Sequence, residues 1–272
     1  MSRLRKALEK AREARGDYVQ RPGGGETDPS SVRSTAETVE QKEYKPLKPA
    51  YQLTKVVKCD ADLLRNNRVI SVCTEDEADR LKILRTHILN RLYEKGKNTL
   101  LVTSANPGEG KTLTALNLSI SFSHQFDKTV LLIDGDIRKP SVHQYLGLED
   151  GLGLSDCLAG KVQIADTLIN PGMDRLVIMR GGTPHTNSAE LLSSPKMQAL
   201  FKELKSRYPE RFIIFDSAPI LTSADPLVYA GYVDAILLVV EAERTGAADI
   251  RKVLEMMNGK PIIGTVFNKA IE

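Results

Sequence analysis

The chain has 272 residues, 38 Lys and Arg against 35 Asp and Glu, and a formal charge of +3. That length buries a full core in one α/β domain with a modest appendage, and the small, mixed charge argues against a nucleic-acid partner. Cys59, Cys73 and Cys157 lack metal-ligand or disulfide-framework spacing, and the longest apolar runs, "VLLI" and "AILLVV", fall far short of the roughly 20 residues that cross a bilayer, so a cytoplasmic protein without a signal peptide is expected.

Residues 1–16 have helix-forming composition. Leu4, Ala7, Leu8 and Ala11 lie along one side, with basic residues on the rest, and Gly16 ends the segment. It reads either as a docking helix for a partner or an anionic surface, or as a solvated terminal helix. Residues 17–50 are rich in Gly, Pro, Ser, Thr, Glu and Lys with almost no aliphatic side chains, which is the composition of a flexible tether. The third segment, 51–272, carries the folded domain. In it "VISVCT" (69–74) reads as a short strand, and "EDEADRLKILRTHILNRLYEKG" as a helix with Ala78, Leu81, Leu84, Ile88 and Leu92 on one face.

From Thr99 the chain alternates strand and helix. Strands are expected at 99–104, 129–134, 175–179, 211–216, 235–240 and 261–267, and helices near 111–125, 195–207 and 245–258. Strands this uniformly apolar belong to a sheet covered on both faces, so the expected fold class is α/β, a doubly wound, mostly parallel sheet with ligands at the carboxyl ends of its strands.

The glycine-rich turn "SANPGEGKT" (104–112) sits between a strand and a helix. Successive N–H groups of Gly108 to Thr112 would form an anion nest at a helix N-terminus, with Lys111 reaching the β- and γ-phosphates and the Thr112 hydroxyl ligating Mg2+. Asn106, Pro107, Gly108, Glu109, Gly110 and Leu113 complete the candidate nucleotide contacts, although Ala105 stands where the strict Walker A pattern has glycine.

Two further stretches converge on the same site. "LLIDGDIRKP" ends a strand at Asp134, with Asp136 and Arg138 after it, and "FIIFDSAP" ends another at Asp216. Three carboxylates beside a phosphate cradle need a cation, which magnesium on a triphosphate supplies. Asp216 and Asp136 are the expected Mg2+ holders with Thr112, and Asp134 is placed to orient an attacking hydroxyl or water. Arg138 reads as a stabiliser of transferring charge or as a helix-terminus ion pair, and Asn268 as an amide facing the base. His87, His124, His143 and His185 show no metal spacing and read as structural or surface residues.

"SANPGEGKT", "LLIDGDIRKP" and "FIIFDSAP" together resemble the bacterial tyrosine kinases of capsule and exopolysaccharide synthesis, the CpsD/CapB-like BY-kinases, over about residues 68–269. "GLGLSDCLAG" and "NSAELLSSPKMQALF" are similar to that family too, and the "KALEKAREAR" start is similar to its exosortase-associated branch. The resemblance implies a P-loop NTPase fold of the MinD/ParA-like type and Mg-ATP binding through Lys111, Thr112, Asp134, Asp136 and Asp216. It also implies tyrosine autophosphorylation between neighbours in a homo-oligomeric ring. Control is implied to come from the cytoplasmic tail of a transmembrane, Wzz-like polysaccharide co-polymerase, so that membrane contact is indirect.

The sequence departs from the family pattern in two places. The last tyrosine is Tyr232, so a C-terminal tyrosine cluster is not present, and Tyr18, Tyr44 and Tyr51 in or beside the tether are the alternative acceptors. In the ring-forming helix the matching register is Asp79, Lys82 and Arg85, which keeps the charge signs without the residue types. Two readings of other classes stay open: a regulatory ATPase that phosphorylates nothing, and a partition-type positioning ATPase. The second is disfavoured because Asn106 occupies the position of that group's signature lysine.

Overall fold

The computed structural model describes residues 54–69, 75–92, 97–124, 129–207 and 211–270. The expected N-terminal helix, the tether with Tyr18, Tyr44 and Tyr51, Cys73, and the expected strand beyond Val69 lie outside the described residues.

Eight strands are hydrogen-bonded into one sheet among the described residues, in the order β1-β4-β5-β3-β6-β2-β7-β8. They are β1 (Lys55–Val56), β2 (Thr99–Ser104), β3 (Thr129–Asp134), β4 (Leu168–Asn170), β5 (Leu176–Met179), β6 (Arg211–Asp216), β7 (Ala235–Glu241) and β8 (Ile262–Asn268). Every neighbouring pair is parallel except β4–β5.

Helices fill the connections. α1 (Ala61–Asn66) and α2 (Glu75–Leu92) precede β2, α3 (Lys111–Ser123) joins β2 to β3, and the short α4 (Val142–Tyr145), α5 (Leu154–Ala159) and α6 (Ile164–Thr167) follow β3. α7 (Ser188–Leu192) and α8 (Pro195–Arg207) lead into β6, α9 (Asp225–Tyr229) into β7, and α10 (Ala247–Met256) into β8.

The strands are buried on both faces because successive side chains point to opposite sides. On β3, Leu131 and Ile133 join the core that holds Met197, Phe201 and Leu204 of α8, Tyr229 and Val253; Val130 and Leu132 join the core that holds Leu116, Ile120 and Phe122 of α3 with Ile88 and Leu92 of α2. Each fully buried Leu or Ile contributes about 2 kcal/mol. Phe122 stacks on Phe212 with ring centroids 4.3 Å apart, which pins α3 to β6.

α3 is buried along nearly its whole length despite its serines. Ser119 and Ser123 donate their hydroxyls back to Ala115 and Ile120 carbonyls, which lets them enter an apolar layer without an unmet donor. This rigid helix carries the glycine-rich turn at its N-terminus.

The doubly wound, mostly parallel fold is as the sequence implies; the ends of elements moved for local reasons. β5 begins at Leu176 because Arg175 has φ 59°, a left-handed conformation outside the strand region. β8 runs Ile262–Asn268, since Pro261 lacks the N–H a ladder needs. The helix expected over 245–258 is α10, Ala247–Met256, and α3 ends at Ser123. The antiparallel β4 and the two-residue β1 were missed, being too short to show a period.

Candidate active site

β6 lies between β2 and β3 although it follows both in sequence, so the chain crosses over it and leaves a crevice at the carboxyl ends of these strands. The glycine-rich turn opens from β2 into this crevice. Gly108 and Gly110 have φ of 83° and 93°, which side-chain-bearing residues adopt only with strain. Gly110 is constrained twice, because a Cβ there would stand 2.0 Å from the Asn268 amide nitrogen.

The turn is braced from within and from outside. The Ser104 hydroxyl donates to the Asn106 carbonyl at 2.9 Å. The Glu109 carboxylate, almost wholly buried, accepts from the Asn106 N–H at 3.0 Å and from the Thr245 hydroxyl at 2.6 Å. Asn106 in turn donates to Asp249 of α10 at 3.0 Å. The Glu109 side chain therefore shapes the loop. Asn268, expected to face a base, already donates its amide to the Glu109 carbonyl at 2.8 Å.

Opposite the turn stand the three aspartates. Asp134 and Asp216 end β3 and β6 in register, and both are fully buried. Asp134 accepts the Ser141 and Val142 N–H groups on one oxygen at 2.8 and 2.9 Å, while its other oxygen and both oxygens of Asp216 have no hydrogen-bond partner. Burial, and then the Asp216 charge, push the Asp134 carboxyl well above the usual range. Burial also raises Asp216, with the Lys111 charge and the nearby Thr112 hydroxyl working against it, although that hydroxyl is not within bonding distance.

Gly135, between Asp134 and Asp136, lets β3 and β6 close. Its N–H donates to the Asp216 carbonyl at 2.7 Å, its carbonyl accepts from buried Tyr229 at 3.0 Å, and a Cβ would meet both neighbours under 3 Å. Asp136 accepts the Lys139 N–H at 3.1 Å and faces the Lys111 ammonium at 3.5 Å. Burial pulls the Lys111 pKa down, but Asp216, Asp136 and Asp134 outweigh it, so the ammonium is held more firmly charged than an ordinary lysine.

The structure brings together Lys111, Thr112, Asp134, Asp136 and Asp216 as the sequence implies. Arg138 is exposed, and its charge acts on Asp225 at the start of α9. A cavity of about 450 Å³ beside the glycine-rich turn is lined by Gly108, Gly110, Lys111, Thr112, Ser141 and, unforeseen, Asn67, Gln144 and Tyr145. Asn67 reaches this wall by donating to the Tyr145 carbonyl at 3.0 Å, a contact between residues 78 apart that no local pattern announces. A second cavity, of about 500 Å³, lies beside Leu113, Thr114 and Asn117 of α3 and Val266, Phe267 and Asn268 of β8.

Among the described residues, no three His, Cys, Asp or Glu side chains could hold a metal ion by themselves. The donor set nonetheless fits one that phosphate oxygens help to hold: three buried carboxylate oxygens lack partners beside a hydroxyl, as hard-cation chemistry requires.

On the expected ring helix, Lys82 pairs with Asp79 of the same turn at 2.7 Å, both well exposed. Arg85 instead donates inward to the Ser121 carbonyl near the end of α3.

A glycine-rich turn on a buried helix, a lysine among strand-end carboxylates and this strand order define a P-loop NTPase of the MinD/ParA-like type. No family model matches the chain. It is 33% identical over 210 residues to the tyrosine-protein kinase YwqD of Bacillus subtilis, covering 75% of this chain and 87% of that protein. It is 33% identical over 171 residues to the tyrosine-protein kinase CpsD of Streptococcus pneumoniae, covering 62% and 74%. The solved kinase domain of VpsO superposes with a TM-score of 0.63 at 29% identity, over 73% of this chain and all of that one. The Mg-ADP complex of MinD from Pyrococcus horikoshii shares the fold, with a TM-score of 0.51 at 24% identity over 62% and 69%. The chain belongs to the bacterial tyrosine kinase family.

Proposed function

We propose that this chain is a cytoplasmic, Mg-ATP-dependent tyrosine autokinase that regulates capsule or exopolysaccharide polymerisation and export. The observation that carries the chemistry is the set of unpartnered, buried carboxylate oxygens on Asp134 and Asp216 facing the Lys111 side of the glycine-rich turn. Buried charge of that kind is costly alone and useful beside a cationic phosphate complex.

Triphosphate oxygens would lie against the N–H groups of the turn, with Lys111 on the β- and γ-phosphates. The base would enter the cavity beside Leu113 and Phe267, leaving the Asn67–Gln144–Tyr145 side open to an acceptor. Thr112, Asp136 and Asp216 would hold Mg2+, which supplies neutralisation of charge on the transferring group. Asp134, fixed through one oxygen by Ser141 and Val142, presents the other to the acceptor phenol. Once the Mg2+ charge offsets the burial that keeps Asp134 protonated in the empty site, that oxygen would take the phenolic proton as the phenol oxygen bonds to the γ-phosphorus, the bond to the bridging oxygen breaks, and ADP leaves.

Tyr18, Tyr44 and Tyr51, in or bordering the segment 17–50 whose composition is that of a flexible linker, serve as acceptors. The controlling partner is the cytoplasmic tail of a transmembrane, Wzz-like co-polymerase, with homo-oligomers as the working form. No described helix is long and apolar enough to cross a membrane.

The test is incubation of the purified chain with labelled ATP and magnesium, with and without the co-polymerase tail, beside Lys111→Met. Labelled phosphotyrosine in the wild type alone supports the kinase. ATP turnover without protein labelling in either condition would instead assign a regulatory ATPase.

A further inference from the structure

Two backbone carbonyls of the glycine-rich turn are held from the far side by the end of β8. The Lys269 ammonium donates to the Gly108 carbonyl at 2.8 Å, and the Asn268 amide to the Glu109 carbonyl at 2.8 Å. A trans peptide is planar, with its C=O and the next N–H pointing in opposite directions. Fixing these two carbonyls toward β8 therefore turns the N–H groups of Glu109 and Gly110 the other way, into the phosphate crevice. Those are two of the donors an anion nest needs.

The holding residues are themselves anchored. Lys269 adopts a left-handed conformation, φ 57°, and its ammonium also pairs with Glu241 at the end of β7 at 3.1 Å. The Asn268 carbonyl accepts from Ala242 N–H at 2.9 Å, so the ends of β7 and β8 are tied before they reach the turn. Glycines at 108 and 110 lower the cost of rotating these peptide planes, which makes an outside restraint on them consequential.

We infer that Lys269 is a positioning residue for nucleotide binding: acting through the Gly108 carbonyl, and together with Asn268, it sets the peptide planes that present N–H groups to the phosphates. The inference rests on the nucleotide site and is independent of which group accepts the phosphoryl.

The test uses the full chain with a fluorescent ADP analogue and magnesium. Lys269→Met should weaken binding about ten-fold, the scale of a lost charge-assisted hydrogen bond, while Lys269→Arg restores most of it. The nucleotide-free Lys269→Met protein should unfold within about 2 °C of the wild type. Because the effect is orientation and not field, the affinity ratio of wild type to Lys269→Met should hold from about 0.05 M to about 0.5 M salt. Displacement of the probe by pyrophosphate, which has no base, should be weakened as much as binding of the nucleotide.

Wild-type affinity in Lys269→Met would overturn the inference, and so would a ratio that collapses to one in high salt. Undiminished displacement by pyrophosphate would place Lys269 at the base instead. Should Lys269→Met fail to fold, Glu241→Gln loosens the same ammonium and should weaken binding about two- to three-fold; unchanged affinity there counts equally against the inference. A wild type that binds no nucleotide would remove the site and the inference together.

Discussion

Asp134 and Asp216 stand side by side at the carboxyl ends of adjacent parallel strands, paired in register and fully buried. Burial and mutual repulsion push the Asp134 carboxyl up to about 8, so the folded chain binds this proton more tightly than the unfolded chain. Stability then falls as pH rises from the ordinary carboxylate range toward 8. Asp134→Asn should remove that loss: the nucleotide-free protein should melt higher near pH 8, by about 3 °C per kcal/mol recovered, and change little near pH 4. Phosphotransfer should be abolished. Calorimetry at both pH values decides, and a lower melting point near pH 8 would mean the pair is not strained.

Lys111 faces Asp136 of this cluster at 3.5 Å and feels the charges of all three aspartates. Lys111→Met should take autophosphorylation below detection and weaken nucleotide binding by about ten-fold or more. Its loss raises the Asp216 carboxyl further, so stability should fall more steeply with rising pH than in the wild type. A parallel pH dependence in the two proteins would show that Lys111 does not neutralise these carboxylates.

The closeness of β3 and β6 depends on Gly135. A methyl there would meet the Asp216 carbonyl at 2.7 Å and the Tyr229 hydroxyl at 2.8 Å, so Gly135→Ala should cost about 1–3 kcal/mol in chemical unfolding. Tyr229→Phe should cost about 1 kcal/mol for its lost bond to the Gly135 carbonyl. The double variant should cost less than the sum, because the phenol oxygen is one of the three atoms the new methyl meets. Strict additivity would argue that the strands can separate at no expense.

Arg85 and Asp79 belong to one expected assembly motif but sit in different surroundings. Arg85→Ala removes a staple from α2 to the Ser121 carbonyl and should lower stability by about 1–2 kcal/mol, whereas Asp79→Ala breaks an exposed pair and should cost about 0.5 kcal/mol or less. Sedimentation of both variants separates folding from assembly. Equal melting points would show that the staple contributes nothing to the monomer.

If Tyr18, Tyr44 and Tyr51 are the acceptors, replacing all three by Phe should abolish autophosphorylation and leave nucleotide affinity unchanged. Phosphopeptide mapping of labelled protein reads the result, and undiminished labelling would exclude these tyrosines.

The P-loop, its helix and the strands ending in Asp134 and Asp216 were legible because each is a local pattern: an apolar run, a turn of glycines, a charged residue at the run's end. The fold class followed, since alternating buried strands and helices have few ways to cover a parallel sheet. The same reading passed over β1 and β4, which at two and three residues are shorter than any period they could display.

The partners of the site residues were not legible. Glu109 meets Thr245, Asn268 and Lys269 meet the carbonyls of Glu109 and Gly108, and Asn67 reaches Tyr145, all across long stretches of chain. A side chain's type limits what it can bond, but its partner is set by which strands the sheet places next to each other. The sequence by itself determined the kind of chemistry, a phosphate cradle with a lysine and three acids. Only the tertiary structure decided that Arg85 staples a helix, that Asn268 serves the turn, and that two of the acids share one buried register where neither is easily charged alone.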